Sequence, residues 1–197
     1  ITLHLRKKEI IHEAPIRAAI AHLYFESIHP FEDGNGRIGR AIAEKALFQG
    51  IGRVTLISLS QAIEAKKKLY YASLKQAQRT NEITSWILYF LGVILEAQEE
   101  ATTQIKFLLK KAAFYDRFRA QLNARQNKVV ERMFQAGPKG FEGGMSAQKY
   151  SAISGASKAT ATRDLQELLE AGAFTRTGGG RSTRYHLKFL CLHSTGL

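Results

Sequence analysis

The sequence predicts a mainly α protein in which an all-α region is followed by a small α+β domain. Three observations lead to this prediction. Apolar residues recur at helical spacing through the first hundred residues. Two short runs of β-forming residues flank a Gly-rich turn only after residue 172. Positive charge is concentrated in residues 101–197, which hold 16 Lys and Arg against 6 Asp and Glu, whereas residues 1–100 hold 13 against 11.

The helices of the first region follow from their caps and apolar spacing. Pro15 suits the first position of a helix that should run to about Ile28. The segment RAIAEKALFQG predicts a second helix that ends at Gly50. Residues 61–79 predict a third helix, and residues 83–118 predict one or two more.

A different pattern begins at Asn123. NARQNKVVERMFQ predicts a short amphipathic helix, and a Gly-rich loop follows it. MSAQKYSAISG and SKATATRDLQELLEAG predict two helices separated by a turn, the second with Ser157 as its N-cap and Gly172 as its C-cap. AFTRT and TRYHL flank the tip GGGRS and predict a hairpin. Three helices followed by a basic hairpin are typical of a winged helix-turn-helix domain.

Composition limits the environment. Cys191 is the single cysteine, which excludes an intrachain disulfide and suits a reducing compartment, so we expect a cytoplasmic protein. No apolar run reaches the roughly 18 residues that a membrane-spanning helix needs, so no membrane is expected as a partner. Because the chain begins with Ile1, we expect it to be a piece of a longer protein.

The stretch HPFEDGNGRIGR, residues 29–40, contains a G-x-G-x-x-G string. A dinucleotide-binding turn needs a strand before this string and an acidic residue roughly 20 positions after it. The preceding segment AHLYFESI is helical in pattern, and the segment VTLIS at the acidic position has no carboxylate. The sequence therefore contradicts a Rossmann-type site.

The same glycines still predict an anion site. Gly34, Asn35 and Gly36 precede a helix, and backbone N–H groups at a helix N-terminus bind phosphate well. Asp33 offers an oxygen ligand for Mg²⁺, which proteins usually hold through one or two carboxylates together with substrate phosphates. The residues 29–40 therefore point to phosphate chemistry.

Three more side chains of this stretch fit that chemistry. Arg37 and Arg40 lie about one helical turn apart and could both offer guanidinium contacts to phosphate oxygens. His29 is the side chain of the stretch that can accept a proton near neutral pH.

HPFEDGNGRIGR resembles the Fic-domain signature HPFx[D/E]GNGRxxR at every specified position. PIRAAIAHLYFESI and YYASLKQAQ are also similar to Fic sequences, so the resemblance covers about residues 10–100. The resemblance implies an all-α domain that transfers AMP from Mg-ATP to a Ser, Thr or Tyr hydroxyl of a target protein.

The resemblance also implies roles for individual residues. His29 would deprotonate the target hydroxyl, Asp33 would hold Mg²⁺, and Phe31 would anchor the loop in the core. Asn35 would also help stabilise charge on the α-phosphoryl group. The residues implied in nucleotide binding are Gly34, Asn35, Gly36, Arg37, Arg40 and Tyr70.

Two elements that many Fic proteins carry are not expected in this sequence. The 28 residues before His29 leave little room for a flap hairpin that docks the target backbone. They also lack an S/TxxxE motif followed by Gly or Asn, which marks an inhibitory helix. We therefore predict a Fic core at 1–100 without flap or inhibitory segment, a helical connector at 101–122 and a winged-helix domain at 123–190.

The basic C-terminal domain is expected to bind DNA. The predicted contacts on its third helix, the recognition helix, and on its hairpin are Lys158, Arg163, Arg181 and Arg184. One alternative is a nucleotide-sensing DNA-binding transcriptional regulator without turnover. Another is a Fic enzyme that removes AMP or transfers a different phosphate-containing group. The predicted partners are a target protein with a hydroxyl side chain and DNA, and a homodimer is left open.

Overall fold

The computed structural model describes residues 13–51 and 57–189. The chain divides into two compact units, Ile1–Thr102 and Thr103–Leu197. Helices dominate both units, and a two-stranded antiparallel sheet lies near the C-terminus. The predicted fold class is confirmed.

The first unit is built from helices. They are α1 (Ala14–Ile28), α2 (Asn35–Ile51), α3 (Leu59–Ala65), α4 (Lys67–Ala77) and the first part of α5 (Thr84–Phe118). Trp86, Phe90, Leu47 and Leu59 are buried in one apolar core. The indole Nε1 of Trp86 donates to the carbonyl of Ala19 at 2.8 Å, which ties α5 to α1.

Two helix boundaries differ from the prediction. The second helix begins at Asn35 and continues through Gly50 to Ile51, so the glycines of the 29–40 stretch lie at its start and within it. The predicted helix at 61–79 is two helices, because Lys66 leaves helical geometry with φ −128° and ψ 35°. Residues 84–118 form a single helix, in agreement with the expectation of one or two helices there.

The second unit contains the end of α5, a short 3-10 turn at Arg119–Gln121, and three further helices, α6 (Ala124–Phe134), α7 (Ala147–Ser154) and α8 (Lys158–Glu170). Strands β1 (Phe174–Thr177) and β2 (Arg184–Leu187) follow as a hairpin. A bridge between Met145 and Tyr185 adds the chain before α7 to the edge of β2. The predicted three helices and hairpin are therefore confirmed.

The ends of α8 have the chemistry that the sequence predicts. The hydroxyl of Ser157 accepts the N–H of Thr160 at 3.2 Å. At the other end, Gly172 has φ +76°, its N–H bonds the carbonyl of Leu169, and the N–H of Ala173 bonds the carbonyl of Leu168. This pair of bonds is a Schellman motif, which favours glycine at the left-handed position.

The boundary between the compact units falls at Thr102–Thr103, inside α5. Phe114 and Phe118 of the predicted connector lie in the core of the second unit. The predicted division into 1–100, 101–122 and 123–190 stays a prediction. None of the helices in the described ranges is long and apolar enough to cross a bilayer.

Candidate active site

The loop from His29 to Gly34 joins the end of α1 to the start of α2. His29 has φ 47° and ψ 59°, and its N–H donates to the carbonyl of Phe25 at 3.0 Å. This left-handed conformation is uncommon for a residue with a Cβ and occurs often at helix C-termini. The imidazole of His29 is exposed at the point where the chain turns.

Gly34 starts α2. Its φ of +84° is in the left-handed region that glycine adopts without strain, and its carbonyl accepts the N–H of Ile38 at 3.0 Å. The N–H groups of Asn35, Gly36 and Arg37 therefore form the first turn, where no preceding helix carbonyl can reach them. Such a helix start favours an anion through both these donors and the helix dipole.

The guanidiniums of Arg37 and Arg40 fold back over this helix start. A Cβ on Gly34 would lie 3.3 Å from Nη2 of Arg37, and a Cβ on Gly36 would lie 3.2 Å from Nη1 of Arg40. The space that a side chain would fill is thus occupied by two cationic groups. Arg37 and Arg40 thus lie beside Gly34 and Gly36, the glycines that the sequence analysis placed in the same anion site.

Asp33 lies on the same loop and is paired with Arg37. Its Oδ2 accepts from Nη2 of Arg37 at 3.1 Å, and the side chain of Asp33 is 92% exposed. Within the described ranges no group of three or more His, Cys, Asp or Glu side chains could hold a metal ion. One exposed carboxylate beside this candidate anion site fits Mg²⁺ that would be held largely by phosphates and water.

Asn35 stabilises the loop through its amide. The residue is buried, its Oδ1 accepts the N–H of Phe31 at 3.1 Å, and its Nδ2 donates to the carbonyl of Phe31. Both polar atoms of the side chain are thus used within the loop. Phe31 itself is 51% exposed and contacts the Phe25 ring, so the expectation that it anchors the loop in the core is wrong.

Tyr70 lies in the core of the first unit. It is 3% exposed, and its hydroxyl is 2.9 Å from Nε2 of His22, which is completely buried. Burial lowers the pKa of His22 to about 4, so this imidazole is neutral at physiological pH. The predicted contact between Tyr70 and a nucleotide has no geometric support here.

Helices α1 and α2 approach most closely at Gly39. A Cβ on Gly39 would lie within 2.5 Å of Oε1 of Glu26 and 3.1 Å from Nδ1 of His22. Glu26 is buried too, and burial raises the pKa of its carboxyl. Two buried polar side chains of α1 thus lie directly against the backbone of α2, beneath the loop.

Gly39→Ala should destabilise the protein by up to about 2 kcal/mol. Overpacking against His22 and Glu26 costs about 1–3 kcal/mol, and most of that range lies above the roughly 1 kcal/mol that alanine gains over glycine in a helix. Gly92→Ala is the matched control, since a Cβ there meets nothing within 4 Å. In urea unfolding, the two variants should shift in opposite directions. A stabilised Gly39→Ala variant would refute the close contact.

The basic candidates of the second unit lie in different settings. Lys158 and Arg163 are exposed on α8, and Arg181 is exposed at the tip of the hairpin. Arg184 is half-buried, and its Nη1 donates to the carbonyls of Arg181 and Thr183. Arg184 therefore also stabilises the hairpin turn.

A buried polar network holds the three helices of the second unit together. Asp164 of α8 accepts two hydrogen bonds from Arg125 of α6, at 2.9 and 3.0 Å, and one from the hydroxyl of Tyr150 of α7 at 2.8 Å. Sequence reasoning missed this network. The available signal was a carboxylate at helical spacing among Ala161, Leu165 and Leu168, which are buried.

Comparisons with known proteins agree with these two units. Residues 6–47 match the model of the Fic/DOC family, so the resemblance of the N-terminal region is confirmed. Residues 143–188 match a model described as the C-terminal domain of a DIP2311-like transcriptional regulator. The second match covers α7, α8 and both strands of the hairpin.

One solved structure is similar over most of the chain. A crystal structure at 2.70 Å of a Fic family protein from Desulfovibrio desulfuricans G20 matches with a TM-score of 0.46 and 22% identity. The match covers 94% of this chain and 52% of that chain. The chain thus spans about half the length of that protein.

Proposed function

We propose that the first unit transfers AMP from Mg-ATP to a hydroxyl side chain of a protein. One observation carries the proposal. His29 is the C-cap of α1 and has an exposed imidazole, and α2 starts six residues later with the guanidiniums of Arg37 and Arg40 folded over its first turn. A base beside a cationic phosphate site is what attack on a phosphorus atom needs. The family match of residues 6–47 supports the same chemistry.

In this mechanism His29 accepts the proton of the target hydroxyl. The hydroxyl oxygen forms a bond to the α-phosphorus, and the bond from that phosphorus to the oxygen bridging the α- and β-phosphates breaks, so that pyrophosphate leaves. The N–H groups at the start of α2 bind the phosphates during this step. Arg37 and Arg40 stabilise the negative charge of the β- and γ-phosphates.

Asp33 is the residue that would hold Mg²⁺, which would neutralise phosphate charge when bound. To bind the metal through Oδ2, the carboxylate would exchange Arg37 for the metal, since that oxygen is paired with Arg37. The pair is exposed, and such pairs contribute only about 0–1 kcal/mol, so the exchange has a small cost.

The position of the label in ATP tests the proposal. The chain is incubated with a cell lysate, or with itself as target, together with Mg²⁺ and ATP labelled at either the α- or the γ-phosphate. Protein labelled only from α-labelled ATP supports AMP transfer. Protein labelled only from the γ-phosphate would indicate phosphate transfer in place of AMP transfer. Protein labelled only when another nucleotide replaces ATP would indicate that a different group is transferred.

A nucleotide-sensing DNA-binding regulator is the second candidate. The match of residues 143–188 to a domain of a transcriptional regulator favours it, together with the exposed basic residues of α8 and the hairpin. This candidate predicts salt-dependent DNA affinity that changes with ATP, and no label on any protein.

We also propose that the second unit binds DNA through α8 and its hairpin. Arg181→Gln should then weaken binding to unrelated duplexes alike and reduce the slope of log affinity against log salt by about 1. Arg79→Gln is the charge-matched control in the first unit and should leave the slope unchanged. Fluorescence anisotropy across a salt series measures both variants. An unchanged slope in Arg181→Gln would exclude this residue from the interface.

A further inference from the structure

Arg40 is held by a residue that lies 20 positions later in the chain. Its Nε donates to the hydroxyl of Ser60 at 2.8 Å, while its Nη1 lies over Gly36. The hydrogen bond uses the inner nitrogen of the guanidinium, so both outer nitrogens keep their donors for an anion. Ser60 therefore fixes the direction of Arg40 without occupying the groups that would bind phosphate.

The start of α3 is itself fixed. Ser60 is the second residue of α3, and the N–H of Leu59 donates to Oε1 of Glu44 on α2 at 3.1 Å. Ser58 accepts the N–H of Gln61 and caps the helix. Because Glu44 lies one helical turn after Arg40, α2 and α3 are joined at neighbouring points, and the hydroxyl of Ser60 has a defined place.

The two arginines differ in the charge of their partners. Arg37 is paired with the carboxylate of Asp33, whereas Arg40 is bound by a neutral hydroxyl. Across residues 13–51 and 57–189 no ion pair is found for Arg40. Its charge interacts with the carboxyl of Glu26 without direct contact, so the guanidinium stays available to a highly charged anion.

We propose that Ser60 is a positioning residue that orients Arg40 toward the β- and γ-phosphates of ATP. This inference rests on the proposed function of the first unit. A neutral residue at position 60 keeps the cationic site charged, and a carboxylate there would pair with Arg40 and compete with the nucleotide.

Three variants at Ser60 separate positioning from folding. Ser60→Ala removes the hydrogen bond and should raise the Kd for ATP about 3- to 10-fold, the size of effect expected for the loss of one exposed hydrogen bond. Ser60→Thr keeps the hydroxyl and should restore affinity. Ser60→Asp is favourable at a helix start, so the fold is retained, but it should weaken ATP binding at least as much as alanine does. Ser85→Ala, at the second position of α5, is the matched control.

Calorimetric titration of the whole chain with ATP and with AMP gives the decisive comparison. AMP has no β- or γ-phosphate, so its Kd should stay constant while that of ATP rises. An equal loss of affinity for ATP and AMP in Ser60→Ala would overturn the inference, because it would show that Ser60 has only a structural role. Unchanged ATP binding in Ser60→Ala would overturn it while leaving the proposed function intact. Failure of the unmodified chain to bind ATP would instead overturn the proposed function and the inference with it.

Discussion

Replacing His29 by alanine should lower the rate of AMP transfer by about 10²- to 10⁴-fold, the usual contribution of a general base. The variant should still bind ATP, because the N–H groups of α2 and the guanidiniums of Arg37 and Arg40 remain. The expected result is therefore a loss of transfer with little change in the Kd for ATP. Initial rates with α-labelled ATP and calorimetric titration measure the two quantities.

A second substitution at His29 is needed because the residue has a left-handed backbone conformation. Its φ of 47° costs alanine about 1 kcal/mol, whereas asparagine tolerates this conformation. His29→Asn should therefore keep the loop and still lose transfer. Glu32→Ala is the control, because Glu32 is exposed on the same loop and has no assigned role. Full activity in either His29 variant would refute the assignment of the base.

Replacing Asp164 by alanine should destabilise the second unit by about 2–4 kcal/mol. Tyr150 is fully buried, and the change leaves its hydroxyl without a hydrogen-bond acceptor. Such an unsatisfied buried donor costs about 1–3 kcal/mol. Arg125 loses a two-point contact, but its side chain is 46% exposed and can return to water, so the loss is below that of a fully buried ion pair.

Hydrogen exchange followed peptide by peptide locates this effect. Amides of α6, α7 and α8 should lose protection in Asp164→Ala, while those of α1 and α2 should not. Asp116→Ala, an exposed aspartate of the same unit, is the control. Tyr150→Phe should cost less in the Asp164→Ala background than alone. Equal protection in Asp164→Ala and Asp116→Ala would show that the network does not stabilise the unit.

The same network makes stability depend on acid pH. Hydrogen bonds from Arg125, and to a lesser degree from Tyr150, hold the pKa of the Asp164 carboxyl below its usual range despite its burial. Its contribution is therefore present above the unfolded pKa of about 3.9 and is lost as the pH falls through the lower folded pKa. Asp164→Asn should flatten this part of the stability profile.

Local chemistry decided which parts of the fold the sequence could predict. Ser157 and Gly172 set the ends of α8 through contacts within a few residues, and both were predictable. The start of α2 was placed too late because Gly36 and Gly39 discourage a helix, although tertiary contact needs a glycine at Gly39. The break at Lys66 has no glycine or proline to mark it.

In the candidate site too, contacts within one short stretch were predictable from the sequence and contacts between distant residues were not. The close grouping of Asp33, Arg37 and Gly34 follows from helical spacing within one short stretch. The hydrogen bonds from Arg40 to Ser60 and from Arg125 to Asp164 join residues 20 and 39 positions apart. Such pairs depend on how helices pack, which periodicity within one helix does not report. The burial of Tyr70 against His22, 48 positions away, was missed for the same reason.

Helix α5 determines how the two compact units can be separated by gene truncation. Domains are usually excised at an exposed loop, whereas here the boundary lies within a 35-residue helix. Its early residues Trp86 and Phe90 complete one core, and its late residues Phe114 and Phe118 complete the other. A cut near residue 84 or 118 would remove core side chains from one fragment. Fragments that keep their cores must each end in part of this helix, with the cut close to Thr102.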